Sequence, residues 1–116
     1  MLEIFGIPNC NTVKKSLDYI KSKNLDYNFH NYKKEGASDQ KIQEWLKQQP
    51  LEKLINKKGT TYRGLSDTDK TALETTETAI PVMIAKPSVI KRPIIVKDAK
   101  IIALGFDEAQ YQEIFG

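Results

Sequence analysis

The stretch "EIFGIPNCNTVKKSLDYI", residues 3–20, decides the fold. Together with Leu2, its apolar opening reads as a short strand ended by Gly6 and Pro8. From Thr12 the apolar residues Val13, Leu17 and Ile20 fall at helical spacing, and the helix runs out near Lys23 and Asn24. Between them lies a strand-to-helix turn holding Cys10, the only cysteine among 116 residues. Next, Leu25 to Tyr32 carries Tyr27, Phe29 and Tyr32, which suit a second strand. The first third is therefore β-α-β, with a right-handed crossover and parallel strands.

The middle of the chain is helical and polar. Ser38 can cap a helix carrying Ile42, Trp45 and Leu46, which Pro50 ends. Leu51, Leu54 and Ile55 make a short apolar face before Gly59. Ser66 with Asp69 three residues on resembles a capping box, with Leu73 and Ala72 then facing inward. Ala79 to Ile90, interrupted by Pro81 and Pro87, reads as one or two short helical turns. The last third is β-rich: Pro93 to Val96 and Ile101 to Leu104 flank the polar connection Lys97-Asp98-Ala99-Lys100, which suits a hairpin. Gly105 ends the second run, and Asp107 can cap a final helix with Ala109, Tyr111, Ile114 and Phe115. The order β-α-β, helical insertion, β-β-α is a thioredoxin-like arrangement of the α/β class with a mixed four-stranded sheet. One domain spans residues 1–116, with the helical insertion at 37–91.

Composition narrows the class. Forty per cent hydrophobic and 28% charged residues are globular values. A lone cysteine permits no internal disulfide, so a reducing, cytoplasmic setting is the expectation. The start lacks a basic segment followed by a long apolar run, and no apolar run approaches the roughly 20 residues of a membrane helix. A net charge of +3 does not by itself imply nucleic acid. Residues 12–34 carry six lysines against two aspartates, and residues 86–100 carry four lysines and Arg92 against Asp98. Two readings stay open here: a solvated patchwork surface, or two basic segments converging on an anionic ligand.

Counting also limits what Cys10 can do. A Cys-x-x-Cys pair needs a second cysteine at position 13, which is Val13, and a Cys-x5-Arg phosphate loop needs arginine where Ser16 stands. One cysteine and one histidine cannot make a zinc site unaided, so no metal is expected. His30 falls among aromatics on the second strand and reads as structural. A thiolate at a helix N-terminus is stabilised by unpaired N–H groups and the helix dipole. Lys14 and Lys15 in the first turn either point to water or stand near an anion.

The segments "GIPNCNTVKKSLDYI", "LINKKGTTYRGL" (residues 54–65), "VIKRPIIV" (89–96) and "ALGFDEAQYQEIF" (103–115) resemble, in order and over nearly the whole chain, the arsenate-reductase-related family and especially its YffB-like branch. The resemblance implies a thioredoxin-like fold with Cys10 as the redox thiol and Arg92 facing it. It also implies a cis Arg92-Pro93 bond, although Pro93 read alone is an ordinary trans residue opening a strand. Arsenate reductases of the family use three arginines. Here Arg92 is the one clear member, Asn56 stands at the middle position, and Lys57, Lys58 and Arg63 lie nearby in sequence. The YffB-like branch shares this departure, and the activity it implies is that of a glutathione-dependent thiol reductase. Asn11 and Thr12 would then offer N–H groups to the sulfur, and Lys14 would add charge. Asn56, Arg63 and Pro93 would help hold substrate or glutathione. Glutathione would be a co-substrate, with no bound cofactor, in a monomer whose partners are a small thiol, an oxyanion or a protein disulfide. The alternative is a Spx-like regulator that binds RNA polymerase without a Cys-x-x-Cys switch.

Overall fold

The computed structural model describes residues 1–116, in two compact units. The first comprises Met1–Asn31 and Arg92–Gly116, and the second Tyr32–Lys91. The fold is α/β and thioredoxin-like, built on one mixed four-stranded sheet.

In the first unit, β1 (Leu2–Gly6), α1 (Asn11–Ser22) and β2 (Tyr27–Asn31) form the β-α-β motif. It is completed by β3 (Ile94–Lys97), β4 (Lys100–Leu104) and a final helix, α8 (Glu108–Phe115). The sheet order is β2-β1-β3-β4; β1 runs parallel to β2 and antiparallel to β3, and β4 returns antiparallel to β3. Leu2 and Ile4 alternate with partly exposed Glu3 and Phe5, so one face of β1 enters the core. There Leu2, Ile4, Ile20, Ile95, Ala103 and Tyr111 cluster, with Leu17, Tyr19, Phe29 and Phe115 packed around them. Burying each large apolar side chain contributes roughly 2 kcal/mol. Lys97 pairs with Lys100, so the expected four-residue connection tightens to a two-residue turn. Asp98 and Ala99 both have positive φ, 51° and 66°, which matches the strand twist of a hairpin. In α8 the inward residues are Tyr111 and Phe115; Ala109 and Ile114 face solvent.

The second unit begins earlier than residue 37, because Tyr32 leaves the strand and opens a short helix, α2 (Tyr32–Glu35). Tyr32 is buried, and its hydroxyl donates to the Lys91 carbonyl at 2.8 Å, which ties the first and last residues of the unit together. Ser38 caps α3 (Asp39–Gln48), accepting from the Lys41 N–H at 3.1 Å. Then come α4 (Leu51–Leu54), α5 (Thr60–Arg63), α6 (Asp67–Ala72) and α7 (Thr76–Ala85). Ser66 does cap α6, but the Asp69 carboxylate pairs with Lys86 Nζ at 3.8 Å.

α7 corrects the expectation of one or two short turns. It is a ten-residue helix that keeps Pro81 inside, followed by a 3-10 turn at Pro87–Val89. A proline removes the bond to the carbonyl four residues back. Here that residue is Glu77, which is exposed like Pro81, so water can satisfy the freed carbonyl. No helix is long and apolar enough to cross a membrane.

Candidate active site

Cys10 occupies the N-cap of α1 in extended backbone, φ −131° and ψ 124°. Its carbonyl accepts the first helical bond from the Lys14 N–H at 2.9 Å. Gly6, at the end of β1, lets this helix start lie close to the strand, because a Cβ there would stand 3.0 Å from Val13 Cγ2. The thiol is half-buried and closes no short capping hydrogen bond. Its ionised form is nonetheless more favoured than in an ordinary cysteine. Partial burial pushes the thiol up. The Val13 N–H, the Arg92 side chain, the Thr12 N–H and the Arg92 charge together outweigh burial and hold it below its ordinary value of 9.0. These are the surroundings of a nucleophilic thiolate: partly accessible, electropositive and backed by helix N–H groups.

Arg92 reaches this sulfur from two residues before β3. The Arg92-Pro93 peptide bond is cis, and Pro93 is buried. The Pro93 carbonyl accepts from the Gly105 N–H at 2.8 Å, where Gly105, with φ +75°, ends β4. On the other side of Arg92, the Lys91 N–H donates to the Leu54 carbonyl at 2.7 Å.

Of the residues singled out in the sequence, Cys10, Thr12, Arg92 and Pro93 come together in the first unit. The N–H groups that act on the sulfur belong to Thr12 and Val13; Asn11 is the exposed first residue of α1. Val13 entered the sequence reading as an apolar residue of the helical period and as the residue that rules out a second cysteine, not as a donor to the sulfur. Its backbone role has no side-chain signature, although the third residue after an N-cap is where a donor is expected. Lys14 is exposed, and the charge acting on Cys10 is that of Arg92.

Asn56 and Arg63 belong to the second unit. The Asn56 N–H donates to the Val89 carbonyl at 2.8 Å, beside the isolated bridge between Ile55 and Ile90. A Cβ at Gly59 would come within 2.9 Å of Asn56 Nδ2, so glycine there leaves room for this side chain. Arg63 is exposed at the end of α5. The second unit also holds a cavity of about 300 Å³ lined by Leu51, Glu52, Ile55, Lys57, Leu73 and Glu74, with no cysteine among its lining residues. His30 stacks on Phe5 with ring centroids 4.6 Å apart, and its Nε2 lies 3.3 Å from Glu3 Oε2. No group of three or more His, Cys, Asp or Glu side chains is placed to hold a metal ion.

The fold is a thioredoxin-like sheet with Cys10 at the start of the first helix and Arg92 shortly before the third strand. This chain belongs to the ArsC family, whose sequence profile matches residues 5–114. An uncharacterized protein of Haemophilus influenzae is 37% identical over 115 residues, 99% of each chain. A solved structure of an arsenate reductase (ArsC) related protein from Brucella melitensis is 38% identical, with a TM-score of 0.77 over 98% of this chain and 93% of that one. A solved YffB protein is 29% identical, with a TM-score of 0.90 over the full length of both.

Proposed function

We propose that the protein is a glutathione-dependent thiol oxidoreductase with Cys10 as its nucleophile. The observation that carries this reading is the half-buried Cys10 sulfur, held below its ordinary pKa by two backbone N–H groups and Arg92. In the first step the Cys10 thiolate attacks the glutathionyl sulfur of a mixed disulfide. A new S–S bond forms to Cys10, the old one breaks, and the substrate leaves as its thiolate. A second glutathione thiolate then attacks the glutathionyl sulfur bound to Cys10. That yields oxidised glutathione and regenerates the Cys10 thiolate, so the substrate is reduced by two electrons and two glutathiones are joined. The resolving thiol must come from solution, because the chain has no second cysteine. Arg92 offers a planar fork of donors for a carboxylate or another oxyanion, and Asn11, Thr12, Lys14 and Pro93 complete the set of the first unit proposed to bind glutathione or substrate. The relative from Brucella melitensis is named as arsenate reductase-related. With Asn56 in place of an arginine, arsenate is the weaker substrate in this reading. The protein would work as a monomer in a reducing compartment.

Incubation with oxidised glutathione at neutral pH, followed by intact-mass measurement, tests the reading. Wild type should gain one glutathione and Cys10→Ser none. A wild-type chain that stays unmodified would sink the proposal.

A further inference from the structure

One polar group lies deep in the core of the first unit. Ser16, on α1, is fully buried, and its Oγ lies 2.7 Å from the Tyr111 hydroxyl of α8, itself fully buried. The Tyr111 hydroxyl donates to the Gly105 carbonyl at 2.7 Å. A phenol has one hydrogen, so with that hydrogen on Gly105 the Ser16 hydroxyl is the donor to Tyr111. Gly105 in turn donates its N–H to the Pro93 carbonyl at 2.8 Å. The path therefore runs from α1 through Tyr111 and Gly105 to the residue covalently attached to Arg92. It closes on itself, since Arg92 acts on Cys10 and Cys10 opens α1. The chain of buried hydrogen bonds ends at Ser16, in the helix that Cys10 opens, and at Pro93, the residue after Arg92.

We propose that Tyr111 is a positioning residue for the Cys10–Arg92 pair, its hydroxyl locking the turn at Gly105 that anchors Pro93 while Ser16 holds it to the helix that Cys10 begins. This rests on the proposed role of Cys10 as nucleophile. Tyr111 can serve as a fixed donor because burial, only partly offset by the Ser16 hydrogen bond, pushes its own pKa up to about 12, so it keeps its proton wherever Cys10 titrates. Its ring is held in place by Phe106 at 4.9 Å and by Tyr19 and Phe115 at 5.5 Å, so loss of the hydroxyl alone leaves the aromatic packing intact. Arg92 is the charged side chain acting on the sulfur, so a slackened Arg92 shows directly in the ionisation of Cys10.

The test is the rate of Cys10 alkylation by iodoacetamide as a function of pH, with Tm recorded for each variant. It uses no glutathione, so failure of the glutathione reading and failure of this one are separable. Tyr111→Phe should raise the midpoint of the profile by about half a pH unit, a roughly three-fold loss of thiolate at neutral pH. Ile20→Val, which thins the same core without touching the hydrogen bonds, should lower Tm and leave the midpoint at the wild-type value. A folded Tyr111→Phe with a wild-type midpoint overturns the proposal, and so does an Ile20→Val whose midpoint rises as far. Should Tyr111→Phe not fold, Ser16→Ala carries the test: its midpoint should rise in the same direction by a smaller step, and an unchanged midpoint overturns the proposal.

Discussion

Ser38 opens α3 with φ −75° and ψ 154°, and its hydroxyl accepts from the Lys41 N–H at 3.1 Å. Cys10 opens α1 in the same extended region of backbone space and closes no comparable bond. Ser66 and Asp107 follow Ser38, accepting from Asp69 and Gln110 at 3.1 and 3.3 Å. Every helix start leaves backbone N–H groups without helical partners. At Ser38 an oxygen occupies one of them permanently, and the result is stability. At Cys10 a larger, softer atom leaves them available, and they act on the thiol by favouring its anion. The same local physics is spent on folding at one helix and on reactivity at the other.

Removing the charge at the reactive start should break this contrast most. Arg92→Ala should raise the midpoint of Cys10 alkylation by roughly one pH unit, about a ten-fold loss of thiolate below the midpoint. An unchanged profile would mean that the N–H groups alone activate the sulfur. The next effect is at the structural start. Ser38→Ala should cost about 1 kcal/mol of stability, measured by urea unfolding, and leave the alkylation profile untouched.

The smallest effect sharpens the comparison by turning one start into the other. Serine is a strong N-cap, so Cys10→Ser should stabilise the chain by about 0.5 kcal/mol at low pH, where the wild-type thiol is neutral. The Cys10 pKa is depressed in the folded chain. Between that folded value and 9.0 the unfolded chain binds more protons, so wild-type stability rises with pH across this window. The contribution is complete above 9.0 and lost as pH falls through the folded value. The advantage of Cys10→Ser should therefore shrink as pH rises. A gap that stays constant in unfolding measurements from pH 5 to 9 would show that the thiol does not titrate differently in the two states.

What the sequence disclosed follows from the range over which each signal acts. Short-range signals were readable: the period of Val13, Leu17 and Ile20 in α1, the caps Ser38, Ser66 and Asp107, and the polar break between β3 and β4. Cys10 and Arg92 were found by different routes, the first by its position at a strand-to-helix turn and the second through resemblance to a family. α5 escaped because Thr60–Arg63 buries no residue and so has no apolar period to read. α7 was broken up because Pro81 signals a stop, and only its exposure beside Glu77 explains why the helix continues. The second strand, read over Leu25 to Tyr32, spans only Tyr27–Asn31; at its far end it was carried one residue too far because Tyr32 has the aromatic character of a strand residue, yet its hydroxyl is used to hold Lys91. The hydrogen bond between Ser16 and Tyr111 spans 95 positions. No local pattern announces such a bond.

Gly6 gives the reactive turn a hard limit on mutational drift. The space above its Cα is already filled by Val13 Cγ2, 3.0 Å from where a Cβ would stand. Val13 is β-branched and fully buried, so its side chain has little freedom to swing away. A side chain at position 6 therefore asks Val13, the residue whose N–H faces the sulfur, to give by a few tenths of an ångström. The packing at position 6 and the donor at Val13 thus belong to one residue's surroundings, and a library that randomises this strand should lose thiol reactivity here before it loses the fold.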